Sequence, residues 1–280
     1  MSISEYANLI PASFKADIAA WIKEDIPSFD YGGYVVGKTP EIAILYGKSP
    51  GVLAGIPFFN EVFNQLDCSV EWFLNEGDYF EPIKEIAKVQ GNACNILIGE
   101  RIALNIIARC SGIATREERE KRHQVIHNNN DDISLLSSVI MLYHAVLVSH
   151  TGFRLVEKYG MLVGGADTHR MNLSSMIMLK DNHIWSQGSI TKAVERARNV
   201  GGFSLKIDVE CRTEAEADEA IQAGADVIML DNFNGENLSS CAKSLKQKWT
   251  NKKFLLESSG GITEENITEF FCPGMANFIG

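Results

Sequence analysis

The C-terminal half of the chain repeats one pattern, in which a short apolar run is followed by polar residues and then by an amphipathic stretch. The apolar runs are Met176–Leu179, Leu205–Val209, Val227–Leu230 and Phe254–Leu256. Short apolar runs predict buried strands, and the stretches between them predict helices. Consecutive strand–helix units form parallel sheets with right-handed crossovers, so the pattern predicts the α/β class.

Polar residues follow each of these predicted strands. The first three runs lead into Lys180, Glu210 and Asp231, and the fourth leads into the turn Ser259–Gly261. In an α/β barrel the carboxyl ends of the strands meet at one rim, where active sites lie. Two carboxylates there suit ribose hydroxyls or a hard cation such as Mg²⁺. A Ser-Gly-Gly turn ahead of a helix can direct several backbone N–H groups at a phosphate.

His169 and Arg170 come shortly before the first of these strands, after a glycine turn at Gly164 and Gly165. Arg170 and Lys180 can neutralise a carboxylate or a phosphate, and arginine does so in bidentate geometry. Each residue alone is also consistent with a strand-end ion pair or with ordinary surface charge. The recurrence of such residues on consecutive strands favours an active site that binds anions. A Schiff-base lyase that uses Lys180 is a weaker alternative, because it requires a desolvated lysine.

The first hundred residues have a different pattern, which is typical of an α+β domain. Helices are predicted around Phe14–Ile22 and over Pro57–Leu66, and strands over Ile42–Tyr46, Cys68–Leu74 and Ile83–Val89. A further predicted helix, Ile98–Ile113, carries Arg101, Asn105 and Arg109 in a polar row at spacings of four. Such a row is usually a solvated helix face, so spacing alone assigns it no function.

Composition limits the classes of function. The net charge of -10 argues against a general nucleic-acid or membrane binder, so an anionic ligand requires a local cluster of Arg and Lys. The six cysteines are scattered without a C-x-x-C pair, and no basic region followed by an apolar core opens the chain. We therefore expect a cytoplasmic protein with reduced thiols. The length allows two domains, which we expect at 1–112 (sandwich-like α+β) and 113–280 (α/β barrel).

Residues 115–150 fit neither pattern. The stretch HQVIH places His123 and His127 at metal-ligand spacing, but Gln124 stands where a zinc protease has its catalytic Glu. We therefore expect no metal site there. The run Ile133–Val148 is too short and too polar for a membrane span, and it is interpreted as a buried segment or as sequence foreign to the rest of the chain.

Six stretches of the chain carry a resemblance to a known family. They are ERIALNIIARCSGIATR, FRLVEKYGMLVGGADTHR, LKDNHI, DVEC, LDNF and SSGGI. In this order and spacing they resemble quinolinate phosphoribosyltransferases, most closely the animal and fungal form, over residues 1 to about 270. The resemblance implies a type II phosphoribosyltransferase fold, with an N-terminal open sandwich and a C-terminal α/β barrel. It also implies a homodimer or hexamer that makes nicotinate mononucleotide, CO₂ and pyrophosphate from quinolinate and phosphoribosyl pyrophosphate with Mg²⁺, in NAD biosynthesis.

The resemblance assigns the cationic residues to quinolinate. Arg101 resembles the arginine that reaches a neighbouring subunit's site and contacts quinolinate. His169 and Arg170 resemble the pair that binds a quinolinate carboxylate. Lys180 lies beside that pair and is implied both in substrate binding and in catalysis.

The same resemblance assigns the remaining site residues to phosphoribosyl pyrophosphate. Glu210 and Asp231 resemble the catalytic acids that engage the ribose and Mg²⁺. Ser259, Gly260 and Gly261 resemble the phosphate-binding turn. Cations that bind a dianion, and carboxylates that stabilise an oxocarbenium-like ribosyl centre, suit this reaction.

Two departures from the family pattern bear on activity. The family has Thr-Arg-Lys-Thr-Thr-Pro just before the residues that match Gly152, Phe153 and Arg154, whereas this chain reads LVSHT and lacks the Arg-Lys pair. The family also continues past Gly280, so we expect an incomplete barrel. An alternative exon or a mistaken gene model are both possible origins of the atypical segment 130–151. The alternative function is a catalytically impaired homologue that binds ligand or modulates an oligomer.

Overall fold

The computed structural model describes residues 3–127, 150–263 and 266–270. Most of the atypical segment 130–151, the C-terminal residues 271–280, and the side chains of His123 and His127 lie outside the described part, so the expectations about them are not addressed by the structure. None of the helices in the described ranges is both long enough and apolar enough to cross a membrane.

The described residues group into two compact units. One falls within Met1–Arg119 and Val148–Ala166, and the other within Glu120–Leu147 and Asp167–Gly280. The expected domains 1–112 and 113–280 differ from this grouping, because the helix that follows residue 153 packs with the first unit although it comes later in the chain.

The first unit combines helices with a small antiparallel sheet. In chain order the elements are a 3-10 helix (Ile3–Leu9), α1 (Phe14–Asp25), α2 (Tyr31–Val36), β1 (Pro40–Gly47), β2 (Gly51–Val52), α3 (Ile56–Asn64), β3 (Ser69–Trp72), β4 (Tyr79–Phe80), β5 (Lys84–Asn92), α4 (Ala93–His127, which runs past this unit) and α5 (Arg154–Gly164). The sheet has the order β1-β5-β3, and β2 pairs with β4. The predicted α+β character is confirmed, and the predicted helix Ile98–Ile113 forms one longer helix, α4, with the charged stretch that follows it, for which a helix was also expected.

Helix α3 lies at the centre of the first unit's core. Phe58 and Val62, four residues apart on one face, are 1% and 0% exposed. The helix starts where Glu76 accepts hydrogen bonds from the backbone N–H groups of Gly55 (2.6 Å) and Ile56 (2.9 Å). Burial raises the pKa of Glu76 to about 7, and those two backbone bonds oppose the rise.

The second unit is built from strand–helix repeats, as the apolar runs predict. Its elements are β6 (Ile177–Leu179), α6 (Asp181–Gln187), α7 (Ile190–Gly201), β7 (Ile207–Cys211), α8 (Glu214–Ala223), β8 (Val227–Asp231), α9 (Gly235–Lys248), β9 (Leu255–Ser259) and a 3-10 helix (Ile267–Phe270). The four strands are parallel and adjacent in the order β6-β7-β8-β9. The predicted parallel sheet is therefore confirmed.

The start and end of α8 show how local sequence sets the boundaries of a helix. Thr213 accepts a hydrogen bond from the backbone N–H of Glu216 through its side-chain oxygen (3.2 Å), and the Glu216 carboxylate accepts one from the backbone N–H of Arg212 (2.7 Å). This is a capping arrangement of the kind that the sequence predicts. The helix ends at Gly224, whose φ of +94° favours glycine.

Alternation along the four strands gives the sheet two different faces. One face packs against α7, α8 and α9 through Leu179, Ile207, Val209, Cys211, Ile228, Leu230 and Leu256. Because successive strand residues point to opposite faces, the other face carries Met178, Asp208, Glu210, Met229, Asp231, Glu257 and Ser259. The charged residues of the sheet therefore share one face, away from the helices.

Candidate active site

The carboxyl ends of the four parallel strands bring the sequence-predicted rim residues together. Lys180 directly follows β6 and is the N-cap residue of α6. Glu210 lies near the end of β7, Asp231 ends β8, and Ser259 ends β9 opposite Asp231. These residues occupy the edge of a parallel sheet where ligands bind in α/β proteins.

Two neighbouring carboxylates dominate the electrostatics of this edge. Burial raises the pKa of Glu210, the Asp231 carboxylate raises it further, and the nearby Lys180 ammonium opposes the rise. Arg212 also opposes it, with its guanidinium Nη2 3.8 Å from Glu210 Oε1 and 2.9 Å from Asp181 Oδ2. Carboxylates that repel one another in this way, and that offer only hard oxygen donors, fit a hard divalent cation or ribose hydroxyls.

The turn after β9 strongly favours glycine at its centre. Gly260 has φ +96° and Gly261 has φ +70°, both in the left-handed region. A Cβ on Gly260 would collide with the side chain of Asn232 and approach its backbone nitrogen. Asn232 in turn donates from its backbone N–H to the Ser259 carbonyl (2.7 Å) and from its side-chain amide to Asp231 (2.6 Å). Through these hydrogen bonds, Asn232 fixes the turn relative to Asp231 at the end of β8.

His169 and Arg170 lie in a tight turn before β6. His169 has φ +50°, and its backbone N–H donates to Asp167 Oδ1 (2.8 Å). The backbone N–H of Arg170 donates to Nδ1 of the His169 ring (2.6 Å). The imidazole is thereby held by the backbone of its own turn, and the His169 side chain is only 7% exposed.

Two buried acids that the sequence reading assigned no role stand next to His169. Glu257 Oε2 is 3.5 Å and Asp208 Oδ2 is 4.0 Å from His169 Nε2. Burial raises the pKa of Asp208 well above its ordinary value, and the Glu257 carboxylate adds to the rise. Burial also raises the pKa of Glu257 to about 8, while Arg170 lowers it. Within the described residues, this trio is the group whose atoms lie close enough to share a metal ion.

A period of two along the strands could have found both acids. Asp208 precedes Glu210 by two residues, and Glu257 precedes Ser259 by two, so each lies on the same face as its predicted neighbour. Both acids lie further inside the sheet than the strand ends, so the polar residues that follow the apolar runs do not reveal them.

Arg101 belongs to the first unit. It lies on α4, its side chain is 75% exposed, and its guanidinium is 3.4 Å from Asp25. Arg109, two turns further along, instead binds the buried Glu157 carboxylate through Nε (3.0 Å) and Nη2 (2.9 Å). The polar row predicted on this helix therefore contains one structural arginine and one that extends into solvent.

Comparison with known proteins gives this geometry a context. The family model described as "Quinolinate phosphoribosyl transferase, C-terminal domain" matches residues 148–280, and the model of the N-terminal domain of the same family matches residues 34–111. The chain belongs to the quinolinate phosphoribosyltransferase family. Its polar sheet edge and its His169–Arg170 turn fall in the C-terminal match, and Arg101 falls in the N-terminal match.

Individual members of the quinolinate phosphoribosyltransferase family are similar along nearly their whole length. The chain is 48% identical over 279 residues to the nicotinate-nucleotide pyrophosphorylase [carboxylating] of Dictyostelium discoideum, covering 96% of this chain and 91% of that protein. It is 45% identical over 264 residues to the rat protein of the same name, covering 94% and 84%. The solved structure of the nicotinate-nucleotide pyrophosphorylase from Francisella tularensis superimposes with a TM-score of 0.81 at 28% identity, covering 100% and 92%. The expected fold, an N-terminal sandwich followed by parallel strand–helix units, is that of the family.

Proposed function

We propose that this chain transfers the phosphoribosyl group of phosphoribosyl pyrophosphate to quinolinate and decarboxylates the product to nicotinate mononucleotide. The observation that carries the proposal is the edge of the parallel sheet. There a lysine, two carboxylates and a glycine turn meet on adjacent strands. The high identity to proteins named nicotinate-nucleotide pyrophosphorylase [carboxylating] supports the same reaction.

The first step forms a bond between the quinolinate ring nitrogen and C1 of the ribose, while the bond from C1 to the pyrophosphate oxygen breaks. The leaving pyrophosphate takes the electron pair of that bond. Arg170, His169 and Lys180 would bind the quinolinate carboxylates, because cations and N–H donors hold a dianion. Glu210 and Asp231 would stabilise the positive charge that develops on the ribosyl centre.

In the second step the carboxylate next to the ring nitrogen leaves as CO₂. The electron pair of the broken bond remains on the ring carbon, next to a nitrogen that is now positively charged, and a proton then adds to that carbon. The positive nitrogen stabilises the carbanion, so the chain needs mainly to hold the mononucleotide and exclude competing reactions.

The family resemblance implies Mg²⁺, and the two acids of the sheet edge have the chemistry for it. Glu210 and Asp231 supply oxygen donors, and the pKa of Glu210 is raised by its neighbour, a repulsion that a cation would relieve. When bound, Mg²⁺ would neutralise charge on the pyrophosphate. Lys180 is exposed rather than desolvated, which argues against the Schiff-base lyase alternative.

The direct test is the formation of nicotinate mononucleotide from quinolinate, phosphoribosyl pyrophosphate and Mg²⁺. Arg170→Ala should reduce kcat/KM for quinolinate about 10²-fold or more if the arginine contributes a charged hydrogen bond pair of about 3 kcal/mol. Arg196→Ala is the matched control, because Arg196 lies on α7 and contacts the side chain of Gln187. An equal loss in both variants, or full activity of Arg170→Ala, would refute the assignment.

We further propose that the site is completed by a second copy of the chain. Arg101 is mostly exposed and paired only weakly with Asp25 across 3.4 Å, so it is available to a neighbouring protomer. Mixing Arg101→Ala chains with Glu210→Ala chains should then restore activity through hybrid sites. Confirmed mixed dimers without any restored activity would show that each site is built within one chain. This arrangement would make a homodimer the smallest functional unit, with a hexamer as a larger alternative.

A catalytically impaired homologue is the second candidate, favoured by one sequence observation. The stretch LVSHT replaces the Arg-Lys segment of the family, and His150 in that stretch binds Glu157 through ring Nδ1 (2.8 Å) and backbone N–H (2.9 Å). Loss of two cationic contacts would weaken quinolinate binding by about 3–6 kcal/mol, at about 1.5–3 for each charged hydrogen bond. Replacing Leu147–Thr151 by the family segment should therefore raise turnover. Equal rates before and after the replacement would exclude impairment at this position.

A further inference from the structure

The buried trio of His169, Asp208 and Glu257 is not explained by the reaction as proposed. The side chains of the two acids are 0% and 3% exposed, and they lie on the polar face of the sheet rather than at its edge. Among the described residues, both oxygens of Asp208 and Oε2 of Glu257 are buried without a hydrogen-bond partner. Buried acids without hydrogen bonds are costly, so their presence in a well-packed sheet needs a reason.

The hydrogen bond at the other side of the imidazole shows how His169 is oriented. The Nδ1 atom accepts from the backbone N–H of Arg170, so the ring hydrogen resides on Nε2. Nε2 lies 3.5 Å from Glu257 Oε2 and 4.0 Å from Asp208 Oδ2, which is within reach of electrostatic attraction and longer than an ordinary hydrogen bond. An imidazole nitrogen that carries hydrogen cannot donate its lone pair to a metal, and the trio is therefore better explained by a hydrogen directed at carboxyl oxygens than by a metal site.

The two acids also act on Arg170. The arginine lowers the pKa of both Glu257 and Asp208, which means that its charge is within electrostatic reach of them. His169 has a left-handed φ of +50°, an uncommon conformation for histidine that neighbouring interactions must maintain. The acids thus face both members of the turn that is assigned to quinolinate.

We propose that Glu257, assisted by Asp208, is a positioning residue that holds the His169–Arg170 turn in its quinolinate-binding conformation. It does so by placing carboxyl oxygens beside the ring Nε2–H. This inference rests on the proposed function, because it takes quinolinate as the ligand of the turn. It assigns to the acids a role through His169 and Arg170, without contact with substrate.

The experiment separates positioning from simple charge, because the two predict opposite changes in the affinity for quinolinate. At pH 9 Glu257 is ionised, so Glu257→Leu removes a negative charge there, and charge alone would make the chain bind a dianion more tightly. Positioning makes it bind more weakly, by about 10-fold or more if a charge-assisted contact is lost. Glu257→Gln keeps an acceptor oxygen and should stay within about 3-fold of the parent, which is rescue by the isosteric residue. Affinity for phosphoribosyl pyrophosphate should change by less than about 2-fold in each variant, since that ligand is assigned to other residues.

The control for Glu257→Leu is a substitution of its strand neighbour Ser258. Ser258→Ala removes a buried polar group from the same strand, on the face opposite to Glu257, and should leave quinolinate affinity unchanged. Calorimetric titration of quinolinate into the Leu, Gln and Ala variants measures the affinities. A Leu variant that binds as tightly as the Ser258→Ala chain, or more tightly, overturns the proposal.

The ring of His169 gives a readout that does not depend on ligand. With labelled histidine, nitrogen NMR of the full chain should show hydrogen on Nε2 in the parent, with His169→Gln identifying the signal among the six histidines. Glu257→Leu should change that signal, and Asp208→Asn provides a second variant if the first does not fold. A parent ring with hydrogen on Nδ1, or one that binds added Mg²⁺ or Zn²⁺ through Nε2, overturns the proposal. A parent that shows the Nε2–H signal but fails to bind quinolinate instead contradicts the proposed function.

Discussion

Gly260→Ala tests the turn after β9 with the smallest possible change. A non-glycine residue at a φ of +96° costs about 1–2 kcal/mol in backbone strain. The added methyl group would also collide with the Asn232 side chain and lie 3.0 Å from its backbone nitrogen, and overpacking of this kind costs about 1–3 kcal/mol. We therefore expect the free energy of unfolding to fall by about 2–5 kcal/mol, the sum of the two contributions. Because Asn232 also binds Asp231, KM for phosphoribosyl pyrophosphate should rise as well.

Gly224→Ala is the matched control for this substitution. Gly224 has nearly the same φ, +94°, but a Cβ there would meet no atom within 4 Å. Its loss of stability should therefore stop at the strain of about 1–2 kcal/mol, with KM unchanged. Urea unfolding followed by circular dichroism compares the two variants. Equal losses would refute the argument, because they would show that the approach of Gly260 to Asn232 contributes nothing.

Three further substitutions test single contacts. Arg109→Gln should lower the free energy of unfolding by about 2–4 kcal/mol in urea titrations, because it removes a guanidinium from the buried Glu157 carboxylate. The range is at the low end for a buried pair because Arg109 is half-exposed, and a loss below that of Arg196→Gln would contradict the prediction. Thr213→Ala should cost about 0.5–2 kcal/mol in the same titration by removing the N-cap of α8; no measurable loss would mean that the cap is dispensable. Arg212→Gln removes a charge that lowers the pKa of Glu210, so the acid limb of the pH profile of kcat/KM should move to higher pH; an unmoved limb would show that Glu210 does not need to be ionised for the reaction.

The order of the strands follows directly from the sequence. Each apolar run in the second half became a parallel strand next to its predecessor, because a strand–helix–strand repeat has few other compact arrangements. The helices α2, α5 and α6 and the short pair β2 and β4 were not predicted, and length explains all of these except α5, which has 11 residues. Elements of two to seven residues carry too few apolar positions to show a period.

The candidate site was only partly predictable for a related reason. A polar residue directly after an apolar run marks the end of a strand, and Lys180, Glu210 and Asp231 were predicted in this way. Asp208 and Glu257 lie inside the strands, where a single polar residue is not set apart by a preceding apolar run. Their significance comes from His169, which is distant in sequence, and only the folded chain places the three side chains together. The period of two could have placed both acids on the face of Glu210 and Ser259, but their contact with His169 leaves no local signal.

Burial of Glu257 makes a last prediction, about stability and pH. Its pKa is about 8 in the folded chain and near 4.5 when exposed, so between those values the folded state binds more protons than the unfolded state. This contribution to stability is fully present below pH 4.5 and is lost as the pH rises through 8, with a slope of at most about 1.4 kcal/mol per pH unit for one proton. Glu257→Gln cannot titrate, so the parent should lose stability relative to this variant over that window. Glu76→Gln should show the same effect only up to about pH 7, because that is the pKa of Glu76 in the folded chain. Urea titrations at half-unit steps of pH separate the two acids, since between pH 7 and pH 8 only the Glu257 variant should continue to diverge from the parent. A constant difference between parent and Glu257→Gln across the whole range would show that Glu257 is not protonated on folding.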